Sequence, residues 1–110
     1  MAGSQSTNPV SFMSRKFIVR AKAEKDMQKA FKWYEDCHAG LGKKFLEEAD
    51  RVFQRIQERP FECAVVHRNL RRALMQGFPY GIFFLLADDS IKVVAVTHHA
   101  QNPSEWQERI

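Results

Sequence analysis

The stretch Asn69-Leu-Arg-Arg-Ala-Leu-Met-Gln-Gly-Phe-Pro-Tyr-Gly-Ile-Phe-Phe-Leu-Leu-Ala-Asp-Asp-Ser-Ile-Lys-Val-Val-Ala-Val-Thr-His98 decides the fold. It reads as three strands separated by two turns. Gly77-Phe78-Pro79 interrupts the first pair, because proline lacks an N–H and fixes its φ. Asp88-Asp89-Ser90 interrupts the second, because short polar side chains stabilise turns. From Tyr80 to Leu86 both alternating sets are largely apolar: Tyr80, Ile82, Phe84 and Leu86 on one face, Phe83 and Leu85 on the other. A strand apolar on both faces is buried on both, which places it centrally in a sheet. Val93-Val94-Ala95-Val96 repeats that character.

Upstream lie the elements that would cover such a sheet. Lys16 to Arg20 reads as a short strand. Ala23 to His38 reads as a helix, with Ala23, Met27, Ala30, Phe31, Tyr34 and His38 on one stripe. Gly40 stands where a C-terminal cap is expected. A second helix follows Leu41-Gly42 with the stripe Phe45, Ala49, Val52, Phe53 and Ile56, and Pro60 stops it. The short link makes the pair an antiparallel hairpin. Trp33, Tyr34, Phe45 and Phe53, at helical spacing, are expected as core or hairpin contacts. Cys63 to His67 is an edge strand or extended loop, and Asn102-Pro103-Ser104 opens a last helical turn carrying Trp106. The expected fold is α+β: an N-terminal strand, a two-helix hairpin on one face of a mainly antiparallel sheet, and a short C-terminal helical turn.

The 110 residues suit one domain, and a hydrophobic fraction of 45% suits a folded core. Residues 1–14 hold no charged side chain and are rich in Ser, Gly, Asn and Pro, so they read as a disordered leader before a domain over residues 15–110. The net charge of +4 favours an acidic partner without defining a nucleic-acid binder. No stretch has the apolar length of a membrane span, and no secretory signal stands at the start. Cys37 and Cys63 follow no CxxC spacing and read as reduced, buried or half-buried thiols of a cytoplasmic protein; a single disulfide stays open. His98 and His99 point to opposite faces of a strand, and no metal-ligand spacing or cofactor signature is present.

Beyond the helix and strand pattern, a series of short pieces carries a resemblance. They are Ala23-Glu24-Lys25-Asp26, Trp33-Tyr34-Glu35, Gly40-Leu41-Gly42 with Phe45-Leu46, Arg71-Arg72-Ala73-Leu74, Phe78-Pro79-Tyr80, Val94-Ala95-Val96 leading to His98, then Pro103 and Trp106. In this order the chain from about Lys16 to Arg109 resembles the RelE/ParE superfamily of toxins from bacterial type II toxin–antitoxin systems, in its ParE-like, plasmid-stabilisation branch. The resemblance implies a toxin that a cognate antitoxin neutralises by folding its C-terminal segment onto it. RelE-like members cleave mRNA in the ribosomal A site; ParE-like members bind and inhibit DNA gyrase. Gln101-Asn102 stands where family members often carry Arg-Asp, which keeps a third reading in view, a non-toxic relic or interaction module with the same fold.

The candidate site residues each carry two readings. Arg71 and Arg72 offer planar guanidinium forks to a target or a phosphate, or are solvated edge charges. His98 is the general acid/base candidate, with Tyr80 as a polar partner; alternatively His98 ends a strand and bonds the backbone while the Tyr80 ring packs in the core. Lys25, Lys29 and Lys32 form an i, i+4, i+7 row, either a solvated face or a landing surface for an acidic antitoxin. Trp106 pins the last turn on the sheet or belongs to a partner groove.

Overall fold

The computed structural model describes residues 15–110, so the leader read over residues 1–14 lies outside the described residues. Strand β1 (Lys16–Val19) leads into helix α1 (Ala21–Cys37) and helix α2 (Leu41–Glu58). After a 3-10 turn at Pro60–Glu62 come β2 (Ala64–His67), β3 (Leu70–Leu74), β4 (Tyr80–Leu86) and β5 (Ser90–His98), then the short helix α3 (Ser104–Gln107). The five strands form one sheet in the order β1-β5-β4-β3-β2. β1 runs parallel to β5 and every other pair is antiparallel.

Burial follows the alternation of β4. Ile82 and Phe84 join Ile91, Val93 and Val96 beneath Ala23, Ala30, Phe45, Ala49, Val52 and Ile56 of the two helices. Tyr34, Phe45, Phe78 and Tyr80 close one end of this core as an aromatic cluster, with Tyr34–Phe78 centroids 4.9 Å apart and Phe45–Tyr80 centroids 5.1 Å apart. The opposite face has a small core of its own: Leu70, Phe83, Val94 and Ala95, capped by Trp106 and Ile110. Trp106 stacks on Phe83 at 4.4 Å and 17°, so it does pin the C-terminal segment on the sheet. The second face is therefore partly roofed rather than open.

Helix α1 ends at Cys37, and Gly40 precedes α2 with φ 89 rather than capping α1. Glu35 makes the connection tight: its two carboxylate oxygens accept the N–H groups of Gly40 at 2.9 Å and Gly42 at 3.0 Å. Gly42 sits against the backbone of α1, where a Cβ would stand 2.7 Å from the Phe31 carbonyl oxygen. Trp33 departs from the expected core role. It is 62% exposed, with its ring edge-on to Tyr34, because a 100° step per residue carries it onto the outer flank of α1. Cys37, expected buried or half-buried, is exposed at the end of α1, and both cysteines are free thiols.

The run Val93-Val94-Ala95-Val96 contains a β-bulge. Phe83 faces Ala95 and Phe84 faces Val93, which leaves Val94 as an extra residue. Val93 and Val96 thereby both reach the helix-side core, while Val94 and Ala95 both reach the other. The bulge also strands backbone groups that the sheet cannot pair. Asp26 accepts the Val96 N–H at 2.9 Å, and Arg109 donates to the Val94 carbonyl at 3.0 Å.

Candidate functional site

Two recesses flank the end of the sheet where β4 begins and β5 finishes. The first, about 290 Å³, lies between α1 and the C-terminal segment and is lined by Asp26, Lys29, Trp33, Tyr80, His98 and Arg109, among others. Lys29 and Trp33 stand one helical turn apart on α1, so an exposed indole and an ammonium group share its rim. An exposed indole suits contact with a protein. Asp26 and Arg109 are committed to each other and to the bulge, so they shape the floor.

Tyr80 packs its ring against Phe45 and, at 5.3 Å, against His98. Burial pushes its phenol above the ordinary range, and the nearby Tyr34 and Asp26 push it the same way. It is therefore a neutral donor at physiological pH and not a base. His98 ends β5, and its Nδ1 accepts the Ala100 N–H at 2.9 Å, which leaves Nε2 to carry the ring hydrogen. Gln101 turns its Oε1 onto the His98 N–H at 2.8 Å. Asn102 accepts the Ser104 N–H at 3.0 Å. Both side chains fasten the turn into α3.

The second recess, about 140 Å³, lies on the other face and is lined by Arg72, Phe83, His98, His99, Gln101 and Trp106, among others. Arg72 crosses Gly81 here, where a Cβ would lie 3.2 Å from the Arg72 Cδ. Arg71 is elsewhere. Adjacent strand residues alternate faces, and its guanidinium donates to the carbonyls of Cys63 at 2.8 Å and Phe61 at 3.5 Å. The structure thus groups Arg72, His98 and Trp106 around one recess, and Lys29, Tyr80 and His98 around the other. Arg71 is separate from both, Lys32 pairs with Asp36 at 3.2 Å, and Lys25 is exposed outside the recesses. Asp26, Trp33 and Arg109 line the first recess without a sequence motif that marks them as site residues. The position of Asp26 in the opening turns of an amphipathic helix was a signal for a carboxylate with a structural partner, but nothing local ties it to Arg109.

Among the described residues no group of three or more His, Cys, Asp or Glu is placed to hold a metal ion, and no helix is long and apolar enough to cross a membrane. A two-helix hairpin on a five-stranded, mostly antiparallel sheet with a C-terminal strap makes a small α+β domain. The family described as "ParE toxin of type II toxin-antitoxin system, parDE" matches residues 17–103, and the chain belongs to that family. Toxin ParE2 of Mycobacterium tuberculosis, in strain CDC 1551 / Oshkosh and in strain ATCC 25618 / H37Rv, is 26% identical over 99 residues. The match covers 89% of this chain and 94% of the relative. A chain of the solved chromosomal ParDE TA system from P. aeruginosa shares the fold with a TM-score of 0.66 at 13% identity, over 78% of this chain and 97% of that one.

Proposed function

We propose that this toxin acts in the cytoplasm by binding DNA gyrase, and that a cognate antitoxin neutralises it by folding onto its surface. The observation that carries the reading is the family match across residues 17–103, taken with the dispersal of the proposed chemical groups. Arg71 is anchored on carbonyls, and Tyr80 and Arg72 line different recesses, so the tyrosine and the two arginines do not converge on one point. The exposed indole of Trp33 suits a protein target better than a scissile bond. Induced expression without antitoxin is expected to arrest growth, and the purified chain to inhibit supercoiling by purified gyrase. Arrest with unaffected supercoiling would remove gyrase as the target. Normal growth at full induction would favour the non-toxic interaction module, and Gln101→Arg would then test whether a restored cation brings toxicity.

A second reading, ribosome-dependent cleavage of mRNA, is favoured by one feature: Arg72, His98 and His99 line the same recess. It predicts cut transcripts in a translating extract and their loss in His98→Ala. Intact transcripts at saturating protein would eliminate it.

A further inference from the structure

One backbone conformation goes against the residue that holds it. The β2–β3 hairpin closes through the two-residue turn Arg68-Asn69, between His67 and Leu70, which pair across it. Hairpin turns of that length hold a positive φ at their first central residue, where glycine, asparagine or aspartate is preferred. Here that residue is arginine, at φ 52, the only non-glycine with positive φ among the described residues. The left-handed region presses the Cβ of an L-residue toward the following carbonyl oxygen. Asn69, whose short side chain tolerates that region, stands one place later.

Nothing inside the fold accounts for the arginine. Arg68 is exposed, and among the described residues it enters no ion pair. Arg71, by contrast, is anchored on the carbonyls of Cys63 and Phe61. The stretch Val66-His67-Arg68-Asn69-Leu70 contains no carboxylate. The ladder that the turn closes is also a poor place to store strain: β2 is an edge strand, and its register slips between Val65 and His67. Glycine or asparagine would close the same hairpin with less strain, so the use of this position lies in the side chain and not in the turn. Strain that the surrounding packing does not need gathers at binding sites. The tip stands beside the face that holds the second recess, where His67 meets Trp106 edge-on with centroids 6.2 Å apart.

We propose that Arg68 is a contact of the toxin with its protein target, its guanidinium held out by the strained turn to take a carboxylate on the surface of that target. The planar fork matches a carboxylate with two parallel hydrogen bonds, and no internal partner competes for it among the described residues. The proposal rests on the reading of the chain as a toxin that acts by binding a protein, and not on that protein being gyrase.

The test compares the whole chain with Arg68→Asn and Arg68→Lys. Asparagine accepts the left-handed turn and removes the cation; lysine keeps both the cation and the strain. The melting temperature of Arg68→Asn is expected to equal that of the unaltered chain or exceed it by a few degrees. The potency of growth arrest without antitoxin is expected to fall about tenfold in Arg68→Asn and about threefold or less in Arg68→Lys. A merely structural arginine would move potency and melting temperature together. Supercoiling by purified gyrase, assayed with the same three proteins, separates this proposal from the gyrase reading: supercoiling untouched by the unaltered chain removes gyrase, while the tenfold loss of arrest still upholds the contact. Equal arrest by Arg68→Asn and the unaltered chain would overturn the proposal. So would a lower melting temperature in Arg68→Asn, or no arrest by the unaltered chain. A short DNA duplex bound by the unaltered chain and not by Arg68→Asn would give the fork to phosphates and overturn it as well.

Discussion

The two oxygens of Asp26 grip the guanidinium of Arg109 at 2.6 Å and 3.2 Å across 83 residues of sequence. The pair is only 14% and 16% exposed on its two sides, so solvent screens it weakly. Each partner also serves the bulge of β5, Asp26 through the Val96 N–H and Arg109 through the Val94 carbonyl. Removing either one leaves a part-buried charge and a backbone group without a partner. Asp26→Ala and Arg109→Ala are each expected to cost about 2–3 kcal/mol in urea denaturation. The double variant should cost less than the sum, by a coupling of about 1 kcal/mol or more. Additive losses would mean that the two side chains act separately.

The hairpin turn makes a sharper prediction about space. A Cβ at Gly42 would lie 2.7 Å from the Phe31 carbonyl oxygen and 2.9 Å from the Glu35 Oε1 that caps the turn. The backbone contact cannot yield without moving α1 from α2. Gly42→Ala should therefore destabilise by about 1–3 kcal/mol, even though alanine is the better helix former. Glu35→Ala should cost about 1–2 kcal/mol by freeing the Gly40 and Gly42 N–H groups. A higher melting temperature in Gly42→Ala would show that the hairpin is looser than its geometry.

What could be read from the residues was set by periodicity. The alternation of Tyr80 to Leu86 gave both faces of β4 correctly, because each side chain's fate depends on a two-residue repeat. The helix stripes likewise named Phe45, Ala49, Val52 and Ile56, all buried. Three features lay beyond that logic. In Val93-Val94-Ala95-Val96 every residue is apolar, so a slip of phase leaves no trace and the bulge is invisible. The parallel pairing of β1 with β5 joins segments over 70 residues apart, and no local pattern encodes it. Trp33 reads like its neighbour Tyr34, yet one helical step separates a core ring from an exposed one. In the candidate site, strand alternation alone sets Arg71 and Arg72 on opposite faces; what no local pattern encodes is the reach of Arg71 to the Cys63 carbonyl.

That division predicts different phenotypes for adjacent arginines. Arg71 donates to two carbonyls and lies over Phe61, so Arg71→Ala should lower stability by about 1–2 kcal/mol. Among the described residues Arg72 has no such anchor, and Arg72→Ala should cost about 0.5–1 kcal/mol, mostly through packing of its stem over Gly81. In a growth assay, loss of toxicity in Arg72→Ala with near-normal stability would mark it as a target contact. Retained toxicity would leave it a surface charge.

The two tyrosines give a test at alkaline pH. Tyr34 and Tyr80 are the only tyrosines in the chain, so absorbance near 295 nm reports their phenolates together. Burial raises both above their ordinary value of 10.0; Cys37 adds to the effect at Tyr34, and Tyr34 and Asp26 add to it at Tyr80. In the folded chain the neutral phenol is favoured, so above pH 10 the unfolded chain loses protons that the folded one still holds. The stability these groups contribute is full below that pH and is lost as pH rises through the folded values. Native protein should therefore show phenolate absorbance rising at higher pH than the same chain in guanidinium. Its urea midpoint should fall over that interval, and Tyr80→Phe should flatten the fall. Coincident titrations of native and denatured chains would show that water reaches both hydroxyls freely, and that the aromatic cluster of Tyr34, Phe45, Phe78 and Tyr80 does not exclude it.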